Sequence, residues 1–381
     1  MERIPAAPRA PNEIDFWRGF ALITIFVNHV PGLVFERLTF RNLSLSDSAE
    51  LFVFLAGVAL RKLADGPVAP LSAPALAFRL EGRAFAVYVA QTLITEVAIA
   101  MLAAASIVYD APFMLDWHNA SAVFNQPVEA HIGLVLLTHQ LGYFNILPLY
   151  VVLMFAAPVI ALLHRAGGAA LLLPLSFALY AYALVFGVNL PTWPVEGSWF
   201  FNPLSWQLIF CLGFCLSGPH GFGALDPARR RAVRLAAAPV LIAGAFAALV
   251  HYSPNPRFVP EPKLLFMFDK TFLSPARILH ALALYAAFAG LYGLAAASPA
   301  WKFLSAPAAY FSMLGRNSLN VFCAASILSL AGQIARFVYG GHVATDALII
   351  ILGAAIMGLV AWASEWRARL PAPSAARSRS P

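Results

Sequence analysis

Apolar runs of about twenty residues, separated by short polar stretches, recur along almost the whole chain. A helix needs about 20 apolar residues to cross a bilayer, and a shorter run serves where its polar ends reach the interface. On that rule about ten spans are expected, near 16–35, 48–62, 84–109, 144–164, 169–188, 202–218, 233–251, 276–297, 317–335 and 343–364. The run 48–62 is short enough to be tilted, buried or partly re-entrant, and 131–143 is a second ambiguous stretch. The expected fold class is therefore all-α, a polytopic integral membrane protein of about ten transmembrane helices. Residues 1–368 read as one domain, and the Pro-, Ala-, Ser- and Arg-rich tail 369–381 reads as disordered.

Composition and charge sharpen this. The chain is 61% hydrophobic and only 11% charged, with a mean hydropathy of +0.75, far from the roughly 25% charged residues of soluble domains. Lys and Arg collect in cytoplasmic loops near span ends. With the N-terminus inside, 18 of the 25 basic residues fall in inner segments, so both termini are expected to be cytoplasmic and the first span to persist as a signal anchor. The net charge of +7 then follows topology. No basic stripe interleaved with aromatics is present, which excludes nucleic acid as a partner. Cys211 and Cys215 share a helix face, but no His or carboxylate follows at ligand spacing, so no metal site is expected. Neither a short internal repeat nor an inverted repeat of the transporter kind is visible.

The first span carries the chemistry. Arg18 and His29 are eleven residues apart, which places them on one helix face about 16 Å apart along the axis. Ionisable groups inside a bilayer are costly and by default face a bundle interior or a wet cavity. A neutral imidazole is suited to take a proton from a hydroxyl, and Asp15 lies one turn below Arg18. Asp47 and Glu50 stand at a helix start, where they cap the helix or, in a sharper reading, orient His29. Glu96 lies in mid-span with Gln91, Thr92 and Thr95 a turn away: protonated, bonded to those neighbours, or the partner of His29. The outer loop 251–275, with His251, Arg257, Glu261, Lys263, Asp269 and Lys270, is either a lid or a solvated connector.

These residues resemble a known pattern. Arg18, a ten-residue gap and His29, followed by Glu50-Leu51-Phe52-Val53-Phe54-Leu55-Ala56-Gly57, are similar to the two signature motifs of the integral-membrane acyltransferase-3 superfamily. More narrowly, six ordered blocks resemble the OpgC family, which succinylates osmoregulated periplasmic glucans: Ile14–Gly19, Asn28–Gly32, Phe40–Asn42, Leu141–Tyr150, Asn202–Gln207 and Leu314–Leu319. Asn28 stands where the family pattern has Asp before the His, so Glu50, Asp47 or Glu96 would have to tune the imidazole.

The resemblance implies an O-acyltransferase of the bacterial inner membrane with no bound cofactor. It would use acyl-CoA, and within the family succinyl-CoA, as co-substrate from the cytoplasm and a periplasmic glucan hydroxyl as acceptor, with the lipid bilayer and glucan-synthesis proteins as further partners. His29 would be the base. Arg18, Asp15, Arg316 and Asn317 would hold the donor, an anion at a helix start. Asn28, His139, Asn145 and Gln207 would serve the acceptor or the oxyanion. Two other readings stay open: acetylation of another surface glycan or lipid, and proton-coupled transport using Arg18, His29 and Glu96.

Overall fold

The computed structural model describes residues 10–65, 71–218 and 221–370; most of the tail expected to be disordered lies outside them. The described chain is nearly all helical. In order the helices are α1 (Glu13–Asn28), α2 (Ser48–Asp65), α3 (Ala73–Val108), the short α4 (Ser121–Asn125) and α5 (Pro127–Val135), α6 (Ile146–Phe186), α7 (Pro203–Leu216), α8 (Pro227–Leu249), α9 (Pro275–Phe288), α10 (Leu291–Ala296), α11 (Trp301–Arg316), α12 (Ser318–Tyr339) and α13 (Val343–Arg369). Between α6 and α7 a two-residue ribbon pairs β1 (Pro191–Thr192) with β2 (Gly197–Ser198), antiparallel.

Local chemistry sets the boundaries. Asn12 caps α1 by accepting from the Asp15 N–H at 3.1 Å. At the other end Pro31 and Gly32, the latter with φ of +80°, stop the helix, so it ends at Asn28 and not near 35. α3 starts eleven residues before the expected 84, because Arg79, Glu81 and Arg83 extend it past its apolar part. Within α6, Gly168 adopts φ of +63° and ψ of −159°, which divides the helix into two arms matching the separate runs expected there. The stretch 131–143 resolves into the end of α5 and a loop.

Six segments are long and apolar enough to cross a membrane: Ala73–Val108, Gly142–Phe186, Pro227–Leu249, Pro275–Ala296, Ser318–Tyr339 and Val343–Arg369. This is a membrane protein. By length and composition the described residues thus give six such segments where about ten spans are expected. The shorter α1, α2 and α7 lie inside the bundle, and α2 is buried along most of its length.

Glycines let these inner helices approach closely. Gly57 faces the Phe210 carbonyl and Gly213 the Phe54 carbonyl, where a Cβ would collide with backbone, so α2 and α7 pack main chain to main chain. Gly19 against the Phe311 carbonyl and Gly315 against the Asp15 carbonyl do the same for α1 and α11. Trp206, Phe26, Phe144, Phe210, Phe214 and Phe322 fill the core between them. α11 was not among the expected spans, and it seats on the first half of α1. Glu13 accepts from the Gly290 N–H at 2.6 Å and Glu365 of α13 pairs with Arg316 at 2.8 Å. The start of α1 and the end of α13 therefore lie at one end of the bundle, called here the Arg18 end, and His29 lies toward the other.

Candidate active site

At the C-terminus of α1, His29 sends its N–H back to the Ile25 carbonyl at 3.0 Å and leaves the helix. Its ring stacks on Tyr143, centroids 4.6 Å apart and 22° from parallel. Tyr143 stacks in turn on Phe144 at 4.6 Å and donates to the Ser326 carbonyl at 3.0 Å. Gln333 ties this wall together by donating to the His29 carbonyl at 2.6 Å and accepting from His118 Nε2 at 2.8 Å. Burial holds the His118 imidazole below its ordinary range, against the opposing effect of the hydrogen bond it donates to Gln333. His29 Nδ1 is buried without a hydrogen-bond partner among the described residues. The ring borders a cavity of about 370 Å³ that Asn145, Asp47, Lys270, Arg41 and Phe201 also line.

Beside it lies a balanced charge cluster. Asp47 and Glu50 open α2 as a reciprocal cap: Asp47 Oδ1 accepts from the Ala49 N–H at 2.8 Å and Glu50 Oε2 from the Asp47 N–H at 2.9 Å. Their remaining oxygens face cations. Arg277 of α9 donates to Glu50 Oε1 through Nη2 at 2.5 Å and Nε at 2.7 Å, and Lys270 reaches Asp47 Oδ2 at 2.5 Å. Burial alone would raise the Asp47 carboxyl; the Lys270 and Arg277 charges outweigh it and hold the group well below the usual carboxylate range. Two negative and two positive groups thus cancel, the form in which charge is tolerated inside a bundle. Neither carboxylate hydrogen-bonds His29; Asp47 acts on it only across the shared cavity.

The other end of α1 has a different character. Arg18, Arg83 and Arg316 line a cavity of about 310 Å³ together with Asn317, Ser318 and Asn320 at the start of α12, and no carboxylate among the described residues lines it. Arg18 donates to Ser318 Oγ. Arg316 and Asn317 are steadied by Glu365, at 2.8 and 3.3 Å. Helix N–H groups plus guanidinium groups are what binds phosphate.

The linings of these two cavities occupy neighbouring positions on two helices, without sharing a residue. Ile146 lines the His29 cavity and Leu147 the Arg18 cavity, while on α2 Ala49 lines the first and Phe52 the second. Three residues of helix amount to about 4.5 Å. A third and larger cavity, about 750 Å³ between α1, α2 and α9, is walled by Phe16, Trp17, Phe20, Phe54, Tyr285 and Phe288, and shares Asp47 with the His29 cavity.

Several expected site residues lie elsewhere. Glu96 is exposed on the outer face of α3 and lines none of these cavities; it is neither the partner of His29 nor part of a relay with Arg18, because its side of the helix turns away from the bundle. Gln207 is saturated where α6 meets α7, accepting from Ser176 Oγ at 2.6 Å and donating to the Ser176 carbonyl at 2.8 Å, so it joins helices. Asp15 accepts from Asn12 at 2.5 Å at the α1 N-terminus and does not line the Arg18 cavity. Asn28 lines the His29 cavity but accepts from Thr39 at 2.8 Å, bracing the following loop. His139 is buried, its backbone N–H donating to the Gly133 carbonyl at 3.0 Å, and it is not among the residues that line the His29 cavity. Asn145 does line that cavity, as expected. Sequence reasoning counted Arg277 only among the outer basic residues and Lys270 only as one loop charge, and missed their pairing with Glu50 and Asp47; the signal was an arginine entering an apolar span, which requires a carboxylate partner.

No curated protein and no solved structure matches the chain. The model of the OpgC protein family matches residues 10–369, the stretch from the N-cap region of α1 to the last residue of α13. The chain belongs to the OpgC family.

Proposed function

We propose that this protein is a membrane O-acyltransferase that moves a succinyl group from cytoplasmic succinyl-CoA to a hydroxyl of a periplasmic glucan, with His29 as general base. Family membership supports a glucan-modifying transferase. The observation that carries the finer reading is the pair of cavities, one cationic and one bordered by an imidazole, whose lining residues Phe52 and Ala49 stand three positions apart on α2. In this reading the Arg18 end is cytoplasmic and the nucleotide phosphates rest on Arg18, Arg83, Arg316 and the start of α12. Ten crossings then follow from α1, α2, α3, the two arms of α6, α7, α8, α9, α12 and α13, with both termini inside.

The thioester passes the turn bounded by Phe52 and Leu147. A glucan hydroxyl gives its proton to the His29 imidazole as its oxygen attacks the thioester carbonyl carbon. The developing oxyanion takes a hydrogen bond from the Asn145 amide. The C–S bond breaks, the proton passes from His29 to the departing thiolate, and ester and free thiol result. Burial, assisted by the Lys270 charge and opposed by Asp47, favours the uncharged imidazole as the starting form of the base.

The test is the anionic charge of periplasmic glucans from a strain lacking the gene, re-supplied with wild type or His29→Ala at matched membrane levels, read by anion exchange and mass spectrometry. Wild type is expected to add succinyl esters and the variant not to. Glucans left unchanged by wild type would overturn the assignment; succinylation by both would keep the reaction and remove His29 as base.

A further inference from the structure

The His29 cavity is lined by charged side chains that a base and a neutral sugar do not require, although Asp47, Glu50 and Glu36 balance the charge around it. Two cations line it, Lys270 and Arg41, against one carboxylate, Asp47. Arg41 stands in the loop after α1, half exposed and 3.6 Å from Glu36, at the rim. Lys270 is held more firmly. The indole N–H of the fully buried Trp206 donates to the Lys270 carbonyl at 3.0 Å and the Thr271 carbonyl at 3.2 Å, and the Asn202 N–H donates to the latter at 3.2 Å. Its ammonium lies 5.8 and 5.6 Å from the ring centres of Phe200 and Phe201, both of which line the cavity. An ammonium has three donors; the hydrogen bond to Asp47 occupies one.

A donor that enters from the Arg18 cavity places its thioester at His29 and its acyl chain beyond, in the space that these cations border. An acetyl group would leave them facing a methyl. A dicarboxylic acyl group would set its free carboxylate there, two methylenes from the reacting carbon in the case of succinyl. Resting on the acyltransferase reading above, we infer that Lys270, with Arg41 at the rim, binds the terminal carboxylate of the acyl group and selects dicarboxylic acyl thioesters over neutral ones. Asp47 positions the ammonium, whose remaining donors can face a guest carboxylate in the cavity.

The experiment is a competition. Purified protein in liposomes receives glucan with equimolar succinyl-CoA and acetyl-CoA, and the ratio of succinyl to acetyl esters is read by mass spectrometry for wild type, Lys270→Met, Lys270→Arg and the double variant Lys270→Met/Asp47→Asn, in which no lone carboxylate is left. A charge-assisted hydrogen bond predicts that the ratio falls roughly 10- to 100-fold in Lys270→Met. It should fall likewise in the double variant, which covers the case of a single variant that does not fold, and recover in large part in Lys270→Arg. Equal loss of both products, with the ratio unchanged in the single or double variant, would overturn the inference while leaving the transferase reading in place. A wild type that prefers acetyl overturns it as well. A wild type that transfers neither group removes the acyltransferase reading itself.

Discussion

The two ends of α1 handle charge in opposite ways. Around Arg18, three arginines and a helix N-terminus surround a cavity that no carboxylate lines among the described residues. Around His29, Asp47 and Glu50 are met by Lys270 and Arg277, so the cluster beside the cavity cancels. In the proposed function, an excess of one sign would suit the Arg18 end to the donor phosphates, while at the other end balanced charges surround the imidazole proposed as base. One helix would thus join the proposed binding end to the proposed reacting end.

The comparison breaks most visibly at the base. His29→Ala should lower transfer roughly 10²- to 10⁴-fold, the range for loss of a general base, with the apparent KM for donor little changed; initial rates over a range of acyl-CoA concentrations separate the two. Next is the cancellation itself. Arg277→Met leaves Glu50 and Asp47 undercompensated in a buried setting and should destabilise the protein by about 3–5 kcal/mol. The pair replacement Arg277→Met/Glu50→Leu should recover much of that in thermal unfolding followed by size-exclusion fluorescence. An Arg277→Met protein as stable as wild type would show that the cluster is not held by charge.

At the binding end, Arg18→Gln should raise the donor KM roughly tenfold or more while moving the unfolding midpoint little. A smaller effect concerns pH. Because the Asp47 carboxyl is held below its ordinary value of 3.8, it contributes stability above that value and loses it as pH falls further, through the folded-state value. The gap in unfolding midpoint between wild type and Asp47→Asn should stay constant from neutral pH to about 4 and close below it. Smallest of all, Glu96→Gln should change transfer by less than about twofold, as expected for an exposed residue that lines none of the three cavities described.

Much of this was legible in the chain itself. Eleven-residue spacing put Arg18 and His29 on one face, and the structure gives each its own cavity. The split of α6 at Gly168 left two separate apolar runs. What escaped was long-range or marginal in hydropathy. Lys270 and Arg277 lie 223 and 227 residues from their partners, and no local pattern encodes such a pairing. Gln207 reads as a functional amide until Ser176 of α6 appears beside it. Glu96 reads as buried because a linear run cannot say which side of α3 meets lipid. α11, with Lys302, Pro307 and Arg316 among its apolar residues, fell below the pattern of a span yet seats directly on α1.

The thin turn between the cavities has an electrical consequence. If polar cavities reach it from both sides, most of the membrane voltage drops across the few ångströms bounded by Phe52 and Leu147, and not across the full bilayer. An acyl group that bears a carboxylate crosses nearly the whole field in that one step, worth about 2.3 kcal/mol per elementary charge for each 100 mV. In an energised cell, negative inside, the field would drive such an anion outward, so the transfer proposed above would be coupled in direction to membrane potential without any ion being pumped.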